Sequence, residues 1–150
     1  MYQHILVPVD GSATASRGLA EAIMLARTLK AGIRLIHVVI GVTTLYPPMS
    51  APAMQTFLDQ LRGSAESILH DATATVRAAG VAVDSRLIEA LGAEAGERII
   101  EQAGAWPADL IVCGTHGRRG VRRILMGSDA EYILRHSPVP VLMIRAREAT

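Results

Sequence analysis

The chain has 150 residues, half of them hydrophobic and 19% charged, which is enough apolar sequence for one domain with its own core and excludes a disordered tail. Fifteen basic against fourteen acidic side chains leave a formal charge of +1, so no global field draws nucleic acid or a membrane surface, and any anion site has to be local. A single cysteine excludes a disulfide scaffold and fits a reducing compartment.

Residues 5–9 form a short apolar run ending in Asp10-Gly11-Ser12, which predicts a strand buried on both faces and then a turn. The run stops too early, and starts with too little positive charge, for a signal peptide, so a cytoplasmic protein is expected. Leu19, Ile23, Ala26 and Leu29 recur at helical spacing over residues 13–30, with Gly32 as the stop. A second strand is predicted over 33–40. The longest stretch without a charged residue, 35–58, contains Pro47, Pro48 and Pro52, which suits strand plus loop and not a membrane span. A loop over 41–52 precedes a second helix over 53–79, closed by Gly80 and with Gly63 as a candidate break.

The third strand, 81–88, alternates charged Asp84 and Arg86 with apolar residues, the pattern of a sheet edge meeting water. A helix over 93–103, a strand over 109–113, a glycine and arginine loop over 114–126 and a helix over 128–136 follow. Val139 to Ile144 is the last strand, and Pro140 within it favours a second edge because proline cannot donate to a ladder. Alternating strands and helices predict a single α/β domain, residues 1–150, a doubly wound parallel sheet with helices on both faces. With the third and fifth strands as edges, the order 3-2-1-4-5 satisfies both, and its switch point falls between Asp10 and Gly114. An order of 2-1-3-4-5 obeys the same rule with a different pair of strand ends.

The loop from Gly114 to Ser128 carries Arg118, Arg119, Arg122 and Arg123 and no acid. Glycines let backbone amides approach phosphate oxygens, and Gly127-Ser128 leads into a helix N-terminus that favours anions. The plainer reading makes these residues turns and a solvated surface, with Ser128 and Glu131 as a capping box. Asp129 and Glu131 oppose an anion there, since acids in a first turn already complement the helix dipole. The Walker pattern fails because Lys30 is the only lysine, and the dinucleotide fingerprint fails because only Gly11 follows the first strand.

Gly114, Gly117, Gly127 and Ser128 satisfy the spacing G-x2-G-x9-G-[ST] without a gap. With Pro8-Val9-Asp10-Gly11-Ser12 at the start and His136-Ser137-Pro138-Val139-Pro140-Val141 at the end, the whole chain resembles the universal stress proteins, in the subgroup that binds ATP. The resemblance implies that Asp10 contacts the ribose, with the Pro8 and Val9 backbone nearby, and that the Val38 backbone meets the adenine edge. It implies that Cys113, Thr115 and His116 line the nucleotide beside Gly114 and Gly117. Gly127, Ser128 and the amides of Asp129 and Ala130 would hold the phosphates, with Mg2+ as a possible companion of ATP. It further implies a homodimer through the last strand, Val139 to Ile144, and a regulator of the stress response, at most a slow ATPase. No metal site from protein side chains, no nucleic acid and no membrane partner are expected.

Asp10 reads equally as an N-cap of the first helix. Cys113 reads as a small buried hydrophobe, His37 as a packed core histidine and Trp106 as a packing cap. Other functions remain open at this point: a nucleotide-free interaction module of the same fold, or a flavodoxin-type FMN protein using Ser12, Thr14 and Ser16, for which few aromatics are placed. A phosphoacceptor receiver lacks the acid and lysine it needs, because Leu87-Ile88 and Arg145 stand at those points.

Overall fold

Ile5, Leu6 and Val7 are wholly buried, as a central parallel strand covered on both faces requires. They are the heart of β1 (His4–Pro8) in a computed structural model that describes residues 1–41, 50–116 and 126–145. Then come α1 (Ala13–Leu29), β2 (Gly32–Gly41), α2 (Ala51–Ala78), β3 (Val83–Leu91), α3 (Ala95–Ala105), β4 (Leu110–Gly114), α4 (Ser128–His136) and β5 (Val141–Ile144). The five strands form one parallel sheet in the order β3-β2-β1-β4-β5. That is the expected order, with both predicted edges in place, and it eliminates 2-1-3-4-5.

Side chains along a strand alternate between faces, and the core divides accordingly. Ile5 and Val7 pack with Leu35, Leu110 and Val112 against Leu19 and Ala22 of α1 and Leu69 and Val76 of α2. Leu6 goes the other way, joining Ile36, Ile111 and, from α3 and α4, Ile99, Ala103 and Ile133. Each such aliphatic side chain contributes about 2 kcal/mol on burial, so the two layers hold the sheet between them.

Several element ends differ from the sequence reading for local reasons. Lys30, not Gly32, ends α1, in the left-handed region at φ 57; Gly32 is already in the ladder, donating to Gln3 O at 2.9 Å. α2 starts two residues early because Ser50 caps it, accepting the Ala53 N–H, and Pro52 loses nothing in a first turn. Gly63 does not interrupt that helix, and Gly80 follows its end at φ +75. Pro140 precedes β5, offering only its carbonyl, to Ile111 N–H at 3.0 Å. Of the expected loops over 41–52 and 114–126, residues 42–49 and 117–125, with Gly117 and the four arginines, lie outside the described residues.

At the amino end of the sheet the polar groups satisfy one another. Arg34 grips the Asp84 carboxylate with two bonds, Nε to Oδ1 at 2.8 Å and Nη2 to Oδ2 at 2.5 Å, and its guanidinium lies 4.7 Å from the centre of the Trp106 ring. Trp106 ends α3 and meets His4 edge-on at 5.2 Å, the packing role expected of it. Asp109 accepts the N–H groups of Gln3 and His4 at 2.7 and 3.0 Å.

Candidate functional site

The connection after β1 leads to α1 on one face of the sheet, and the connection after β4 leads to α4 on the other. Between them, at the carboxyl ends, opens a crevice of about 760 Å3. Its position is the topological switch point, and its size falls within the roughly 300–1,000 Å3 of small-molecule sites.

Pro8, Val9 and Asp10 form one wall, Val38 the next, and Cys113, Gly114 and His116 the opposite one, with Gly127, Ser128, Asp129 and Ala130 closing the end. Thr115 is drawn away from the crevice: its N–H donates to Ile144 O and its carbonyl accepts the Gly127 N–H, both at 2.9 Å. Its hydroxyl lies 3.0 Å from His116 Nδ1. It ties β4, β5 and the start of α4 together and orients His116, a bracing role in place of the lining role expected. Gly117 lies outside the described residues.

Asp10 is not the cap of α1. Ser12 is, accepting the Ala15 N–H at 3.1 Å, while Asp10 Oδ1 accepts the Ser12 N–H at 2.9 Å. The carboxylate is thereby fixed on the rim of the crevice. Gly114 contributes backbone to the wall, yet its missing side chain serves packing: a Cβ there would stand 2.7 Å from Thr14 Cγ2 and 3.2 Å from the Thr14 carbonyl carbon. The glycine lets α1 lie close on β4.

Val38 presents backbone. Gly32 and Ile36, on the same parity of β2, turn their peptide groups toward β1, as the bonds Gly32 N–H to Gln3 O and Val9 N–H to Ile36 O show. Pairing of β1 with β2 ends at Pro8↔Ile36, so Val38 N–H and C=O face the crevice.

The start of α4 corrects the capping box. Gly127 is the N-cap, and Ser128 is the first helical residue, making no side-chain cap bond. Glu131 N–H bonds the Gly127 carbonyl, which leaves the amides of Ser128, Asp129 and Ala130 without intrahelical partners. Neither acid of that turn is spent on them. Asp129 Oδ1 accepts the Gly96 N–H of α3 at 3.0 Å, and Glu131 pairs with Arg135 at 2.8 Å. The close meeting of α3 and α4 requires Gly96, whose Cβ would fall 2.9 Å from Tyr132 Cβ.

Burial pushes the Cys113 thiol up to about 12, and its Sγ lies 3.4 Å from Met143 Sδ. It is a packed, protonated side chain, as expected. Among the described residues no cluster of His, Cys, Asp and Glu is arranged to hold a metal ion, and no helix is long and apolar enough to cross a membrane.

The sequence model of the Universal stress protein family matches residues 1–145. The chain belongs to that family. A universal stress protein of Methanocaldococcus jannaschii is 31% identical over 148 residues, 97% of this chain and 83% of that one. A family member from Burkholderia pseudomallei, known as a crystal structure, is 37% identical with a TM-score of 0.77, each chain being covered over 97%. The universal stress protein from Archaeoglobus fulgidus, solved in complex with dAMP, is 25% identical with a TM-score of 0.71, covering 95% of this chain and 98% of that one.

This universal stress protein also lines its crevice with residues the motifs did not single out. Phe57, Leu61 and Ser64 of α2 reach it, as do Glu94 before α3 and His37 of β2. The first three are spaced i, i+4, i+7, one face of a helix, a signal that was available; for Glu94 the local sequence offers none.

Proposed function

We propose that this universal stress protein binds an adenine nucleotide, ATP or a close relative, in the crevice between β1 and β4, and acts in the stress response as a regulator and not as a catalyst. The observation that carries the reading is the start of α4: three backbone amides without helical partners, at the crevice, with both neighbouring carboxylates turned to other partners. Such a terminus suits phosphate oxygens. In this reading Asp10, whose Oδ1 accepts the Ser12 N–H, accepts ribose hydroxyls, and the Val38 peptide meets the base. The complex of the Archaeoglobus fulgidus relative with dAMP supports the ligand class.

Magnesium, where present, would come on the phosphates of ATP. A protonated Cys113 offers no nucleophile for turnover. The edge position of β5, with Leu142 exposed, supports a homodimer through residues 139–144, since uncovered edges recruit strands; a monomeric mass in light scattering at micromolar concentration contradicts that part.

Heat-denaturing the purified protein and analysing the supernatant by ion-pair chromatography with mass detection is expected to release near-stoichiometric adenine nucleotide. Asp10→Ala should weaken titrated ATP binding by about tenfold, the worth of one charge-assisted hydrogen bond. An empty eluate, followed by no titration heat with millimolar ATP and magnesium, replaces this reading with that of a nucleotide-free interaction module.

A further inference from the structure

In a parallel ladder a strand residue donates its N–H to one partner residue and accepts at its C=O from the residue two further along. Val9 makes the first of these bonds, N–H to Ile36 O at 2.8 Å. Its second rung, from the Val38 N–H to the Val9 carbonyl, is missing, because the register of β1 with β2 stops at Pro8↔Ile36. The Val9 carbonyl is instead taken by the His37 side chain, whose Nδ1 lies 2.7 Å away. A carbonyl only accepts, so Nδ1 carries the proton. His37 is 8% exposed, and its own backbone belongs to the other side of the strand, paired at His37↔Leu87.

We infer that His37 is a positioning residue: its imidazole caps the Val9 carbonyl in place of the Val38 N–H and so keeps that N–H, with the Val38 C=O, turned into the crevice as a donor and acceptor pair. The inference deepens the nucleotide reading and rests on it for the identity of the ligand. The edge of adenine that such a pair suits carries an acceptor ring nitrogen beside a donor exocyclic amine. A ligand acceptor would supply the partner that the sheet withholds from the Val38 amide. A histidine that merely filled the core would leave the Val38 amide indifferent to which of its ring nitrogens is imitated.

That difference is testable with two amides. Asparagine places its NH2 near the position of Nδ1, and glutamine near that of Nε2. In the ligand-free full chain, hydrogen exchange followed by NMR should find the Val38 amide unprotected in the wild type and in His37→Asn. In His37→Gln the rung should form and slow exchange at Val38 by about tenfold, the worth of one hydrogen bond. Calorimetric titration with AMP should show affinity kept in His37→Asn and reduced about tenfold in His37→Gln. His37→Leu carries the same expectation as His37→Gln should the latter not fold. A Val38 amide that exchanges equally fast in the wild type, His37→Gln and His37→Leu overturns the inference. A wild type that takes up neither AMP nor ATP, although Val38 exchange slows in His37→Gln, leaves the positioning role standing and removes the nucleotide reading.

Discussion

At its amino end the sheet brings polar groups together and uses them up: Arg34 with Asp84, Asp109 with the first strand's amides, Trp106 between His4 and the Arg34 guanidinium. At its carboxyl end the same sheet holds polar groups apart. The amides that begin α4 and the Val38 peptide face a crevice, while the acids beside them are bonded elsewhere, Asp129 to Gly96 of α3 and Glu131 to Arg135 within α4. What separates the two ends is the switch of helix faces between β1 and β4, which opens one end and leaves the other closed.

Four substitutions or reactions press on that contrast. Gly114→Val should have the largest effect, lowering the urea-unfolding free energy by about 3 kcal/mol, because the side chain collides with Thr14 in a well-packed contact. Unchanged stability with lost nucleotide binding would return Gly114 to the crevice side. Asp129→Ala should cost about 1 kcal/mol by uncapping α3 while leaving ATP affinity within about twofold, since its carboxylate bonds Gly96; a tenfold gain or loss of affinity would mean that the carboxylate faces the ligand.

Asp84→Asn at the closed end should cost less than about 1 kcal/mol, the discount an exposed pair requires. Hydrogen bonding to the Arg34 guanidinium holds the Asp84 carboxyl below its ordinary 3.8. The stabilisation is therefore present above that pH and lost as the pH falls through the lower folded value, so wild type and variant should converge on acidification. A difference that grows toward low pH contradicts the ion pair. The smallest effect is expected at Cys113, whose thiol is pushed up to about 12: iodoacetamide at neutral pH should leave the native protein unlabelled by mass spectrometry and label it after denaturation. Native labelling would show a thiol open to the crevice.

Much of this was legible in the chain. Apolar runs and helical spacing determined the element order, and charged Asp84 and Arg86 with Pro140 pointed to the two edges and so to 3-2-1-4-5, because each depends on residues close in sequence and on a small set of connection rules; eliminating 2-1-3-4-5 took the sheet itself. The glycine spacing and the Asp10 turn pointed to the switch point for the same reason. Contacts across the fold were decided only by the tertiary structure. Nothing near Gly114 announces Thr14, nothing near Asp129 announces Gly96, and Thr115 reads as lining until Ile144 and Gly127 are seen to hold it. Ser128 reads as a cap until Gly127 takes the position, and His37 reads as core until the end of β1 leaves it the Val9 carbonyl. Periodicity reports which face a residue occupies; which atom it meets there depends on how separate elements dock, and a local pattern carries no record of that.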